Sequence, residues 1–198
     1  MPDLFHFTHD SRHISTPAAM DRGTVLRTSE RRSNPYFESV LGYHHVLPLR
    51  GISQPILEVL RSPAIHQLSS YDVGTNCAHI IESQFRVIRE YEFEEIRRVE
   101  FPHLPSRMRC VCLTDRAGVP YWRQRLSGRA NQRLLRVSAD GDLHAAHEGH
   151  LSVEVQSSAE VREAARRYWR GEAHPNGHFE ILFEGELTVL EIVDVDSL

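Results

Sequence analysis

The chain has 198 residues, 40% of them hydrophobic, and its 23 basic and 27 acidic residues give a formal net charge of −4. That composition excludes wholesale disorder and collagen-like repeats, and its mild acidity excludes the basic balance of a general nucleic-acid or anionic-membrane binder. No apolar run approaches the roughly 20 residues of a spanning helix, and Met1-Pro2-Asp3-Leu4-Phe5-His6 lacks a basic n-region followed by an apolar stretch, so neither a membrane span nor a Sec signal peptide is expected.

Leu4 to Thr8 alternates and is Phe-rich, the pattern of a strand. Ser15-Thr16-Pro17 reads as a helix start, with Thr16 as cap and Pro17 in the first turn, ending at Gly23. Residues 24–50, with Pro35, Gly42, Pro48 and the aromatics Tyr36, Phe37 and Tyr43, read as a long, partly helical loop, and Pro55 to Arg61 as a short helix. The strongest helical pattern runs from Ala78 to Val99, where Ile80, Ile81, Phe85, Ile88, Tyr91, Phe93 and Ile96 recur near a 3.6 spacing. Met108 to Thr114 follows as a buried strand, then a turn at Asp115-Arg116-Ala117-Gly118 and a short helix over Val119 to Leu126. Arg133–Ser138 and Leu143–Ala146 read as two strands joined by Asp140-Gly141. Ser157 to Glu160 opens a helix over Ala159 to Trp169, which Gly171 ends. The chain closes with an expected hairpin, His178–Phe183 and Glu186–Val193 around a Glu184-Gly185 turn. Strands at both ends, helices between them and no repeats or linkers point to one α+β domain over residues 1–198.

Among residues with chemical potential, Glu180 stands out, because it lies in the apolar strand His178-Phe179-Glu180-Ile181-Leu182-Phe183. In a two-residue hairpin it sits opposite Val189, and a carboxylate so placed needs either a partner or a task; the alternative is an outward-facing Glu on an edge strand. His144, His147 and His150 have a spacing that could ligate a metal on a helix, but Gly149 and the strand signals favour a solvated loop, so no metal is expected. The three cysteines, Cys77, Cys110 and Cys112, are odd in number and lack a C-x-x-C spacing, which fits a reducing compartment. All 23 basic residues are Arg; a GC-rich genome explains this, and so does selection against lysine modification in a protein delivered into a host. No nucleophile elbow, Walker loop or dinucleotide glycine motif occurs.

Leu4-Phe5-His6-Phe7-Thr8-His9, followed by a helix start and Gly23-Thr24-Val25-Leu26, resembles the opening of DarT-like ADP-ribosyltransferases. Phe93-Glu94-Glu95-Ile96-Arg97, Phe101-Pro102 and Pro105-Ser106-Arg107 are similar to an uncharacterised bacterial family of the same superfamily. Tyr168-Trp169-Arg170-Gly171 and then Phe179-Glu180-Ile181-Leu182-Phe183-Glu184-Gly185 resemble that family's last helix and glutamate-bearing strand. The resemblance spans nearly the whole chain, and the order of its short motifs carries it.

It implies an ADP-ribosyltransferase-like split, mostly antiparallel sheet with flanking helices, and an enzyme that moves ADP-ribose from NAD to a protein or nucleic-acid acceptor with release of nicotinamide. It implies, too, a bacterial toxin, effector or defence factor that is cytoplasmic or delivered into a target cell, with an immunity or antitoxin protein as partner. Residue by residue, His6 and Thr8 match the strand that holds NAD. Ser106 and Arg107 match a Pro-Ser-Arg element suited to the diphosphate, Tyr121 and Trp122 are stacking candidates, and Glu180 matches the catalytic glutamate. Two residues before it stands His178 where arginine-specific enzymes carry an acid, so arginine-specific transfer is not implied. The implied chemistry is a carboxylate stabilising an oxocarbenium-like sugar as nicotinamide leaves. The transferase reading requires His6 and Glu180 in one cleft, flanking one ribose; side chains on opposite faces of the sheet would end it. Two rival readings are a non-catalytic module that binds a protein through residues 24–50, and a metal enzyme built on His144, His147 and His150.

Overall fold

Period-two alternation builds the strands, and their pairing sets where every candidate side chain points. The computed structural model describes residues 3–8, 20–30, 34, 37–38, 46–49, 52–129, 131–152, 154 and 156–194. In chain order these form β1 (Leu4–Thr8), β2 (Val25–Arg27), β3 (Val46–Leu49), β4 (Ile52–Pro55), α1 (Ile56–Arg61), α2 (Ser70–Glu100), β5 (Val111–Asp115), α3 (Val119–Arg125), β6 (Arg133–His147), α4 (Ser158–Trp169) and β7 (Phe179–Val193). The fold is α+β. Its main sheet has five strands in the order β2-β7-β5-β1-β6, all pairings antiparallel, and β6 also pairs with β7, which closes β7, β5, β1 and β6 into a ring. β3 and β4 form a separate two-stranded sheet. Among the described residues no helix is long and apolar enough to cross a membrane.

The expected strand at Leu4–Thr8 forms as read, and the helix expected over Pro55 to Arg61 forms over Ile56–Arg61, Pro55 ending β4. At α4, Ser157 Oγ accepts from the Glu160 N–H, and the Glu160 carboxylate accepts from the Ser157 N–H, a reciprocal cap. The expected helix from Thr16 falls on residues outside those described up to position 19. Residues 24–50 contribute β2, which pairs with the middle of β7, and β3, instead of only a partly helical loop.

Four elements differ instructively from the sequence reading. Arg133–His147 is one strand of 15 residues, and so is Phe179–Val193; the chain does not close in a hairpin. The two turn-like pairs, Asp140-Gly141 and Glu184-Gly185, instead mark where these strands cross: Gly141 faces Gly185, at φ +149° and +151°. A Cβ on Gly141 would meet the Glu184 carbonyl oxygen at 2.3 Å, and one on Gly185 the Asp140 carbonyl oxygen at 2.2 Å, so only glycine permits this approach. Glu180 therefore pairs with Ala146, and Val189 with Val137.

Helix α2 begins at Ser70, eight residues before the expected start, because Ser69 and Asp72 cap it despite the weak formers Gly74 and Asn76. Its buried face carries Phe85, Phe93 and Ile96 as expected, but also Arg89, Glu90, Glu94 and Arg97, while Ile81, Ile88 and Tyr91 are exposed. Fourth, β5 is shorter than the apolar run, since residues 106–110 turn: the N–H groups of Arg109 and Cys110 both donate to the Ser106 carbonyl.

Two cores sit on opposite faces of the sheet. Inside the ring Leu4, Val111, Leu113, Leu135, Val137, Phe183, Leu187 and Val189 pack together. On the outer face Cys110, Ala146 and Leu182 meet Phe85, Phe93 and Ile96 of α2 and Val161, Ala165, Tyr168 and Trp169 of α4. Each such fully buried large side chain contributes about 1.5–3 kcal/mol, so α2 and α4 are clamped firmly over one end of β7.

Candidate functional site

Register decides which residues can meet. Phe5 pairs with Thr114, Leu4 with Asp115, and Leu113 with Ile181. Side chains alternate along each strand, so His6 shares the inner face with Leu4, Leu113 and Ile181, and Glu180 shares the outer face with Thr114 and Leu182. His6 and Glu180 thus lie on opposite faces of the sheet, and the expected cleft between them does not exist. His6 Nδ1 lies 2.9 Å from the Cys112 carbonyl oxygen. Thr8, on the same face as His6 and paired with Arg133 at the strand end, is likewise turned away from Glu180.

Glu180 instead enters a buried charged cluster beneath α2 and α4. Its Oε1 accepts from Arg107 Nη1 at 2.5 Å and from Tyr168 Oη at 2.6 Å; among the described residues Oε2 accepts no bond. Arg107 Nη1 also lies 2.5 Å from Tyr168 Oη, and its Nε donates to Glu90 Oε2 at 3.0 Å. Glu90 in turn receives Arg89 Nη2 at 2.7 Å. Burial alone would raise the Glu90 carboxyl, but Arg107 and Arg89 hold it below the usual carboxylate range. Burial and the charge of Glu180 push the Tyr168 hydroxyl well up against the pull of Arg107, so it stays protonated and donates. Arg107 stays charged, because Glu90, Tyr168 and Glu180 outweigh the cost of burying it.

The roles expected of the Pro-Ser-Arg element change accordingly. Arg107 is 8% exposed and fully engaged by two carboxylates, so it positions Glu180 and does not present a fork to a diphosphate. Ser106 is equally interior: its Oγ donates to Glu94 Oε2 at 2.9 Å and its N–H to Glu184 Oε2 at 3.2 Å. Glu184 also pairs with Arg109 at 3.0 Å, so it is a structural residue in mid-strand and not an exposed turn carboxylate. Glu186 pairs on the surface with Arg27 at 2.8 Å.

A second group lies at the start of β7, beside a cavity whose strand residues are on the face opposite the Glu180 carboxylate. On α3, Tyr121 stacks on His178 with centroids 5.4 Å apart and planes at 29°, and its hydroxyl donates to Glu148 Oε1. Trp122 Nε1 donates to the Phe179 carbonyl at 3.1 Å. The face of Tyr121 is thus taken by His178, and the indole N–H by the backbone, which places both rings in packing roles at the edge of a cavity. That cavity, about 290 Å³, is lined by Asp115, Ala145, His178, Phe179 and Ile181. Glu148 sits in the short turn after β6, its N–H donating to the His178 carbonyl at 3.0 Å and its Oε2 3.7 Å from Arg125 Nε. Burial, and then the charge of Glu180, raise its carboxyl to about 7 against the opposing pull of Arg107.

The histidine segment divides. His144 stacks on Trp169 at 5.8 Å, whereas His147 lies against Phe179, His150 and His174. Among the described residues no group of three or more His, Cys, Asp or Glu side chains is arranged to hold a metal ion, so the set His144, His147 and His150 is not brought together. Sequence reasoning missed Glu90, Tyr168, Glu148 and His178. Tyr168 had a signal, since it starts the Tyr-Trp-Arg-Gly motif; Glu90 had none, being one of many acids along a helix.

The fold and site define an α+β protein with an antiparallel sheet closed on itself and a carboxylate clamped by Arg and Tyr under two helices. A family model described as a protein of unknown function (DUF2441) matches residues 11–195, and the chain belongs to that family. No curated protein matches it at a significant level.

Proposed function

We propose that this protein is an NAD-dependent ADP-ribosyltransferase in which Glu180 supplies the charge that stabilises the departing sugar. The observation that carries the reading is the clamp on Glu180. One carboxylate oxygen is fixed by Arg107 and Tyr168, and the other accepts no bond among the described residues. A carboxylate oriented in advance and shielded from water interacts with an oxocarbenium-like sugar far more strongly than a solvated one. Because positive charge develops on the sugar only as the bond to nicotinamide breaks, such a group raises kcat more than it tightens binding. The motif order from the Phe-rich first strand to Tyr168-Trp169-Arg170-Gly171 supports the same reading. Against it stands the placement of His6 and Glu180 on opposite faces of the sheet, the condition set to end it; the proposal therefore rests on Glu180 alone, and His6, Thr8, Ser106 and Arg107 are withdrawn from direct contact with NAD. Glu180 is only 6% exposed, so the sugar reaches Oε2 by moving neighbouring side chains aside.

The acceptor is a protein or a nucleic acid, and the biological setting is a bacterial toxin, effector or defence factor, acting in the cytoplasm or in a target cell and restrained by an immunity or antitoxin protein. Release of nicotinamide from NAD by the purified protein tests the reading. Glu180→Gln is expected to lower kcat at least about a hundredfold, the scale for losing one preorganised electrostatic partner, with NAD affinity by calorimetry little changed. Glu186→Gln, whose carboxylate is tied to Arg27 at the surface, is expected to match wild type. Equal rates for Glu180→Gln and wild type, or a wild type that neither binds nor cleaves NAD, would sink it.

A further inference from the structure

Imidazoles gather at the end of the sheet where β6 stops and β7 starts, a place that the transferase reading leaves without a role. His147 ends β6, His150 lies in the turn that follows it, and His174 belongs to the loop before β7. We infer that His147, His150 and His174 form an acid-sensitive latch, which fastens the turn over residues 148–150 to the loop over residues 172–178 while the rings are neutral and opens when they are protonated. The inference is independent of the transferase reading.

The seam is closely built. An added Cβ on Gly149 would meet the Asn176 carbonyl oxygen at 2.2 Å and His174 Nδ1 at 2.4 Å, so turn and loop touch backbone to backbone. The Glu148 N–H donates across the seam to the His178 carbonyl at 3.0 Å, and His150 Nε2 donates to the Glu172 carbonyl at 2.9 Å. Between these bonds the three rings meet. Centroids lie 5.1 Å apart for His150 and His174, 6.1 Å for His147 and His174, and 6.3 Å for His147 and His150. His147 and His150 are buried.

This arrangement needs neutral rings. The Gly149 N–H can only donate, so His147 Nδ1, 3.1 Å away, keeps an unshared pair and the ring proton sits on Nε2. A proton arriving at Nδ1 removes the cap that shapes the turn. Protonation of all three would also set like charges within 6.3 Å of one another, and among the described residues no carboxylate is hydrogen-bonded to any of the rings. The surrounding groups offer little compensation. Glu148 is engaged by the Tyr121 hydroxyl and approached by Arg125, both from α3, and His178 stacks on Tyr121. The Glu172 carboxylate lies 3.4 Å from Arg170 at the end of α4, and Arg89 of α2 donates to the Leu151 and Ser152 carbonyls, a cation behind the turn. Burial, and then the charges of His150, His174 and His178, hold the His147 imidazole below its usual value of 6.5. The closed latch therefore binds fewer protons than the open one, and its stability, full above pH 6.5, declines as pH falls below that value. Neither apolar core contains these rings, so the opening is local.

Amide hydrogen exchange by mass spectrometry, corrected for the intrinsic pH dependence of exchange, reads the latch directly. Between pH 7.5 and pH 5 the peptides over 147–152 and 172–179 are expected to lose protection at least about tenfold, the change that one extra proton in the open form brings per pH unit. The centre of the β6–β7 pairing should keep its protection. His147→Asn places an amide oxygen where Nδ1 accepts, and His150→Gln an amide N–H where Nε2 donates. The doubly substituted chain thus keeps both bonds without the charges, and it should stay protected at pH 5. Glu148→Gln removes the neighbouring carboxyl, which titrates at about 7, and should still lose protection as wild type does. Ring-nitrogen NMR of wild type keeps the test decisive if the double variant folds poorly: His147 should take up its proton over the range in which protection falls. Full protection of wild type at pH 5, or its loss while His147 stays neutral, overturns the latch. So does an equal loss in the double variant, or a loss that Glu148→Gln abolishes.

Discussion

Glu180 on β7 and Glu148 in the short turn after β6 have contrasting surroundings. Glu180 is buried against Arg107 and Tyr168, with the guanidinium Nη1 at 2.5 Å and the phenol Oη at 2.6 Å. Glu148 is half-buried, bonded by a neutral phenol and only distantly paired with Arg125, and the nearby charge of Glu180 works against its ionisation. Burial alone therefore does not set a carboxyl's state; the sign and closeness of what it is buried with do. Arg107 is the charge that contacts Glu180 directly.

The sharpest way to break this contrast is to remove that arginine. Arg107→Ala leaves Glu90 and Glu180 facing each other in a dry cluster, and breaking a buried pair from one side costs about 3–5 kcal/mol. Urea denaturation should show that loss, and Arg107→Lys should recover only part of it, since one ammonium cannot serve Glu90, Glu180 and Tyr168 with the geometry of a planar fork. A loss below about 1 kcal/mol would mean that Arg107 is solvent-compensated and does not hold Glu180 in place.

Register offers the next lever. Glu180 and the turn bearing Glu148 meet because β6 and β7 remain paired on both sides of the Gly141–Gly185 crossing. Gly185→Ala puts a Cβ 2.8 Å from Gly141 Cα, at a φ of +151° that side chains rarely adopt. The strain and crowding together should cost about 1–3 kcal/mol in thermal or urea unfolding. The substitution should also weaken the influence of Glu180 on the titration of Glu148. Alanine accepted there without loss would show that the strands cross more openly.

How much of this was legible in the residues differs between the two carboxylates. Glu180 announced itself as a lone acid among large apolar neighbours, and the capped helix that delivers Tyr168 was readable from Ser157 and Glu160. The first strand was readable too, but which face His6 occupies relative to Glu180 was not, because it depends on how β5 sits between β1 and β7, a long-range register that local alternation does not contain. Asp140-Gly141 and Glu184-Gly185 carry the composition of turns, and the close approach of two backbones demands the same residue for a different reason. Along α2 the apolar spacing pointed partly at the wrong face: Ile81 and Ile88 are outside, and Arg89, Glu90, Glu94 and Arg97 are inside in ion pairs that no hydrophobic periodicity reveals. Glu148 lay hidden in a histidine-rich segment whose spacing drew attention to the imidazoles.

The smallest expected effect is the dependence of stability on the Glu148 proton. Its carboxyl is raised to about 7 in the folded protein from an ordinary value of 4.5. Below pH 4.5 the group is protonated in both folded and unfolded chains and contributes no pH dependence. Between the two values the folded chain binds the extra proton, so stability falls as pH rises, and the loss is complete once pH passes about 7. Because the side chain borders solvent, screening reduces the cost to an order of 1 kcal/mol. Glu148→Gln removes the ionisable group while keeping its volume, so the difference in unfolding free energy between wild type and variant should drift in the variant's favour from pH 5 to pH 7.5, roughly 1 kcal/mol in all. Arg107→Lys, which preserves a charge near Glu180, should leave that drift in place. A difference that stays flat over this range would mean that Glu148 is already ionised in the folded protein at pH 5, and the contrast between the two carboxylates would collapse into a difference of depth alone.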